Sequence, residues 1–132
     1  MRWGHETNGA VRQAAQTANW IVDVGAGAGE LCILAAKLKN VTRIIAIEPD
    51  QAMVKSLQAN IGHNDILYND ILSGRIEIIE KFIGTQNDHK YIRLDQLSID
   101  RSLHGFIKID VDGSELEVLR SGQQQSTAVI VR

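Results

Sequence analysis

The stretch Ile21-Val22-Asp23-Val24-Gly25-Ala26-Gly27-Ala28-Gly29-Glu30 constrains the fold more than any other part of the chain. Ile21, Val22 and Val24 are apolar and β-branched, the composition of a strand buried on both faces of a parallel sheet. Glycine follows at alternate positions, Gly25, Gly27 and Gly29. A residue without Cβ takes positive φ without strain and lets a ligand lie against the backbone. Leu31, Leu34, Ala35 and Leu38 then recur at helical spacing, so a helix begins directly behind the turn, with Asn40 marking its end. The free N–H groups of that helix start point into the turn. Strand, turn and helix together form a floor for a flat, polar, nucleoside-like ligand.

The glycine spacing narrows the choice of ligand. A dinucleotide fingerprint requires G-x-G-x-x-G, with the helix N-terminus facing a pyrophosphate. Here the third glycine arrives one residue early, at Gly29, and Glu30 stands where the fingerprint wants glycine. A carboxylate there repels a pyrophosphate. The run Asp23-x-Gly25-x-Gly27-x-Gly29 instead resembles motif I of the S-adenosylmethionine-dependent methyltransferases. S-adenosylmethionine carries an amino acid and a sulfonium but no phosphate, so an acidic neighbourhood suits it. The plain alternative is a tight strand-to-helix turn with no ligand, and the order of the surrounding elements weighs against it.

The 132 residues predict one domain, 1–132, long enough for a real core. A net charge of −2 with scattered basic residues gives no reason to expect a nucleic-acid or membrane partner. The single cysteine, Cys32, excludes an internal disulfide and a cysteine-rich metal site, and reads as a small core residue. No signal peptide or membrane-length apolar run stands out, so the cytoplasm is the default location.

The rest of the chain alternates strands with helices. A first helix is expected from a cap at Thr7 or Asn8 to about Ala18, and a second strand over 43–48 with Glu48 at its carboxyl end. Asp50, after the only proline, Pro49, suits the N-cap of a helix that puts Met53, Val54, Leu57 and Ile61 on one face. Residues 62–74 are turn-rich and resist assignment. A third strand is expected over 75–80, a polar loop over 84–90, and nothing definite over 92–97. A fourth strand covers 106–111. Asp112-Gly113 turns the chain, Ser114 and Glu117 have capping-box spacing, Leu116 and Leu119 face the core, and Gly122 suits a helix end. A fifth strand covers 127–131. This order predicts an α/β fold, a doubly wound, mostly parallel sheet with right-handed crossovers. Its ligand belongs at the carboxyl ends of the strands, where Gly25, Glu48 and Asp110 should converge.

Glu48 stands about two dozen residues after Gly25, where a carboxylate can accept both hydroxyls of a ribose. That role serves a nicotinamide cofactor as well as S-adenosylmethionine. Asp110 is placed to hold a ligand ammonium or to orient an acceptor hydroxyl. Asp110 and Asp112 lack a third ligand of obvious spacing, so no metal site is expected. None of His5, His63, His89 and His104 stands in a base motif.

A closer resemblance covers most of residues 20–122. The segment Ile107-Lys108-Ile109-Asp110-Val111-Asp112-Gly113-Ser114-Glu115-Leu116-Glu117-Val118-Leu119-Arg120 is similar to the IKIDVEG-x-E-x-x-VL signature of FkbM-type methyltransferases. Leu94-Asp95-Gln96-Leu97 resembles that family's LDDL segment, and Ala46-Ile47-Glu48-Pro49 its AFEP segment. The chain differs in having Gly27 where asparagine is common, Asp112 for glutamate, and Arg93 where threonine or serine is frequent. The resemblance implies a Rossmann-like fold that uses S-adenosylmethionine to methylate a hydroxyl on a sugar or polyketide-like acceptor. It implies cofactor contacts at Asp23, Gly25, Ala26, Gly27, Gly29, Glu48, Pro49 and Asp110, with Asp110 the catalytic candidate. The family's sheet continues after the fifth strand with a helix and an antiparallel hairpin. The apolar run Ala128-Val129-Ile130-Val131 is therefore expected to be an exposed edge, pairing in a homodimer or belonging to a longer protein. Two other functions compete: a nicotinamide-dependent oxidoreductase, and a non-catalytic cofactor-binding module.

Overall fold

A computed structural model describes residues 5–63, 65–110 and 128–131, with the side chains of residues 5–8, 10, 65–67 and 128–131 outside the description. In chain order the elements are α1 (His5–Thr17), β1 (Trp20–Val24), α2 (Glu30–Ala36), β2 (Arg43–Ile47), α3 (Gln51–Gly62), α4 (Asp65–Leu72), β3 (Ile76–Ile79), β4 (Phe82–Ile83), β5 (Tyr91–Ile92), β6 (Gly105–Ile109) and β7 (Ala128–Val131). The main sheet has the order β3-β2-β1-β6-β7 and every pairing in it is parallel. This is the expected α/β architecture. The turn, cap and helix end expected over 111–127 lie outside the described residues.

Both faces of β1, β2 and β6 are buried, as the apolar runs of these strands require. On one face Ile21, Ile44, Ala46 and Phe106 pack under Val11 and Ala15 of α1, Leu31, Cys32 and Ala35 of α2, and Leu57 and Ile61 of α3. On the other, Trp20, Val22, Val24, Ile45, Ile47, Ile107 and Ile109 meet Ile83, Leu94 and Leu97. Trp20 lies directly over Gly105, where a Cβ would stand 2.0 Å from its ring. Its indole N–H donates to Leu103 O at 3.2 Å, so the buried ring keeps its one polar atom satisfied.

Four local expectations change. Helix α1 starts at His5, which puts Thr7 and Asn8 inside its first turn. Helix α2 ends at Ala36, not at Asn40. Asn40 instead donates its side-chain N–H to Ala15 O at 2.8 Å and Ala18 O at 2.7 Å, satisfying carbonyls at the end of α1. Arg75 precedes β3 and is not part of it. Its guanidinium closes the loop after α2 through the carbonyls of Ala36, Leu38 and Val41, and pairs with Asp70 at 2.8 Å. The unassigned stretch 62–74 holds a full helix, α4, whose Ile71 packs against the core.

Between β3 and β6 the chain forms a small parallel ladder, β4 with β5, and a single 3₁₀ turn, Leu94–Gln96. Asp88 closes the polar loop inside the ladder by accepting the N–H groups of Lys90 and Tyr91 at 2.9 and 2.8 Å. Arg93 forks onto Asp95 at 3.0 and 2.7 Å and donates to Thr85 O, tying the loop to the 3₁₀ turn.

Candidate functional site

The glycine turn takes the conformation its composition demands. Gly25, Gly27 and Gly29 have φ of 80°, 59° and 94°. The N–H groups of Gly25 and Ala26 both donate to Ile47 O, at 2.9 and 3.1 Å, which fastens the top of β1 to the top of β2. At Gly29 a Cβ would stand 2.2 Å from Leu57 Cδ1, so this glycine lets α3 pack onto the turn. At Gly27 a Cβ would meet only the flexible end of Met53, at 3.5 Å. Gly27 therefore faces space that a ligand can use, and Gly29 does not. Asn60 of α3 holds the intervening Ala28 carbonyl at 2.8 Å.

Glu48 follows β2 directly and is buried. Its Oε1 accepts the Gly27 N–H at 2.8 Å and its Oε2 accepts the Asp50 N–H at 3.1 Å. Two backbone amides thus fix the carboxylate beside the open glycine. An ionised carboxylate has about four acceptor sites, so the two taken by amides leave lone pairs for vicinal hydroxyls. Asp50 caps α3 as expected, accepting from Ala52 N–H at 2.8 Å and Met53 N–H at 3.3 Å. Pro49 is half-buried and lines a cavity of about 160 Å³ with Glu80, Lys81, Phe82, His89 and Lys90.

Asp110 comes immediately after β6, and its N–H donates to Val24 O at 2.9 Å. Gly25, Glu48 and Asp110 therefore meet at the carboxyl ends of β1, β2 and β6, as the topology requires. Asp23 lies one register step below, opposite Lys108. Lys108, which the sequence did not single out, is buried and bridges the acidic pair. Its Nζ lies 3.3 Å from Asp23 Oδ1 and 3.5 Å from Asp110 Oδ2. Burial pushes the Asp23 carboxyl above its usual range, and the Lys108 ammonium pulls against that shift. Asp23 Oδ2 has no hydrogen-bond partner among the described residues. The signature segment contains Lys108, but only the register with Asp23 reveals what it pairs with.

These groups fit S-adenosylmethionine. Glu48 has acceptors left that would suit a ribose and Gly27 leaves open backbone beside it, with Asp110 at the same end of the sheet, whereas Asp23 is fully buried. His63 and His104 are exposed, at the end of α3 and the start of β6, and so lie at the opposite end of the sheet. His89 is exposed beside Pro49. Cys32 is buried, and burial with Asp23 nearby pushes its thiol up to about 12, which keeps it a protonated core residue.

Residues 23–131 match the model of the methyltransferase FkbM domain. A solved FkbM methyltransferase from Methylobacillus flagellatus superposes with a TM-score of 0.67 at 24% identity, over 86% of this chain and 32% of that one. The S-adenosyl-L-homocysteine complex of an RNA methyltransferase from Salinibacter ruber gives a TM-score of 0.62 at 16% identity, over 99% and 76%. In sequence, the chain is 30% identical over 78 residues to the ribosomal protein L11 methyltransferase of Halalkalibacterium halodurans, or 59% of this chain and 24% of that protein. The chain thus spans about a quarter of that relative and about a third of the FkbM structure. The nicotinamide reading loses its ground here, for the family match includes the glycine turn and Glu48. The chain belongs to the FkbM methyltransferase domain family, whose members depend on S-adenosylmethionine.

Proposed function

We propose that this domain binds S-adenosylmethionine over Gly27, with its ribose on Glu48, and transfers the methyl group to a hydroxyl of a sugar or small natural-product acceptor. The observation that carries the reading is the Glu48 carboxylate, fixed by the Gly27 and Asp50 amides beside a turn glycine whose missing Cβ would meet only the end of Met53. Transfer is an in-line displacement. The acceptor oxygen bonds to the methyl carbon as the carbon–sulfur bond breaks, the bonding pair stays on sulfur, and the hydroxyl proton passes to a base. Most of the acceleration comes from aligning the two reactants. Asp110, at the carboxyl end of β6, orients the acceptor hydroxyl and receives its proton. A net charge of −2 favours a small-molecule or glycan acceptor over a nucleic acid.

Titration calorimetry tests the cofactor half of this reading. Glu48→Ala loses two charge-assisted hydrogen bonds to the ribose, so affinity for S-adenosylmethionine should fall at least about tenfold; an unchanged affinity overturns the assignment. Methyl-labelled cofactor offered with sugars, small hydroxylated products and an RNA oligonucleotide tests the other half. Label on a hydroxyl of the first two supports the reading, and label on RNA overturns the acceptor class. Binding with no transfer to any acceptor points to the non-catalytic module.

A further inference from the structure

Gly27 and Glu48 are both buried, so a ribose reaches the carboxylate only when a side chain moves away. A Cβ built on Gly27 meets one atom within 4 Å, the terminal methyl of Met53 at 3.5 Å. Met53 therefore lies over the open side of the glycine. The helix that carries it is pinned to the turn. Asp50 Oδ1 accepts the Met53 N–H at 3.3 Å, Leu57 fills the space that Gly29 leaves, and Asn60 donates to Ala28 O at 2.8 Å. Lifting α3 would break all three contacts. The Met53 side chain is unbranched and turns on three bonds of its own, so it yields first. Packing does not hold it in place either. It is half-buried, and among the described residues it belongs neither to the two apolar clusters nor to the half-buried side chains packed against them. An apolar side chain that stands outside both cores and covers a buried glycine is placed to meet a ligand.

We propose that Met53 is a cofactor-contacting residue that sets the clearance over Gly27. Its thioether swings off the glycine as S-adenosylmethionine enters, then packs against the part of the cofactor that crosses the turn. This inference rests on the cofactor lying over Gly27. The strand order says which part crosses. Strand β1 stands between β2, which leads into Glu48, and β6, which leads into Asp110. A cofactor with its ribose on Glu48 and its sulfur towards the acceptor at Asp110 therefore spans the turn with C5′ and the sulfur. Met53 is the wall beside that link, and a stiffer or larger side chain there would exclude it.

Surface plasmon resonance with S-adenosylhomocysteine over the immobilised chain reads association and dissociation separately. In Met53→Ala the glycine is bare before the ligand arrives, so association should rise at least about threefold. Dissociation should rise as well, because the wall contact is gone. In Met53→Phe a ring on two rotatable bonds replaces the thioether, and association should fall at least about threefold. Thermal melts establish that each variant is folded, and if Met53→Phe is not, Met53→Ala decides alone. A methionine that merely packs would shift the melting temperature and leave both rates alone. Association in Met53→Ala no faster than in the wild type overturns the proposal. Glu48→Ala on the same surface separates the two readings. If it weakens binding while Met53→Ala associates like the wild type, the cofactor site stands and the role of Met53 falls. If it binds as the wild type does, or if the wild type does not bind, the cofactor site falls and this inference with it.

Discussion

Gly27 and Gly29 share the sign of φ and little else. Alanine at Gly29 has to adopt a left-handed backbone and also place a methyl 2.2 Å from Leu57 Cδ1. Strain and overpacking combine, and the expected loss of stability is about 2–4 kcal/mol. Alanine at Gly27 keeps the strain but meets only the mobile end of Met53. Its cost should be nearer 1 kcal/mol, while its methyl occupies the space assigned to the cofactor. Urea denaturation and calorimetry on the pair should therefore separate: Gly29→Ala loses stability, and Gly27→Ala loses mainly affinity. Equal losses of stability would mean that the two glycines do the same job. The need for glycine is legible in the sequence at both positions. Which of them faces a ligand depends on where α3 packs, and no local pattern records that.

The strands and the cap of α3 could be read from the chain because each carries its own physical signal. Buried parallel strands appear as β-branched apolar runs, and Asp50 caps α3 because an acidic side chain just after Pro49 can reach the first amides. Helix α4 is not legible in the sequence because Asn69 and Asp70 interrupt its apolar pattern, and those residues equally suit turns. The β4–β5 ladder is two residues per strand, too short for any periodicity. Its stability rests instead on side chains that grip the backbone, and these respond to acid. Asp88, Asp95 and Asp100 are all held below the usual carboxylate range: Asp88 by the Lys90 and Tyr91 amides, Asp95 by the Arg93 side chain, Asp100 by Ser102. Depressed pKa values give stability that is fully present above the unfolded-state value near 3.8 and is lost as pH falls through and below it. Hydrogen exchange at successively lower pH should therefore show residues 84–104 losing protection before β1, β2 and β6. Simultaneous loss everywhere would show that these carboxylates do not hold the segment.

The sheet order puts β1 at the centre, and that one fact gathers the site. Glu48 reaches Gly27 because β2 is its neighbour on one side, and Asp110 reaches Val24 because β6 is its neighbour on the other. The same order leaves β3 and β7 as the two edges of the described sheet. They are not equivalent. Glu77 lies within β3 and pairs with Arg43, and Arg75 and Glu80 flank the strand, so that edge carries charge against further pairing. Strand β7 reads Ala128-Val129-Ile130-Val131 and carries none. No described helix or strand other than β6 pairs with it. An uncharged, β-branched strand at the edge of the described sheet is suited to recruiting another strand. The expected partner for this 132-residue chain in isolation is a second copy of β7. Light scattering on the eluting protein should then give twice the 14.6 kDa chain mass at micromolar concentration, returning towards the chain mass on dilution. A lysine in place of Val129 or Ile130 should shift that equilibrium to the monomer. A monomer persisting at high micromolar concentration would show that β7 does not pair with a second copy.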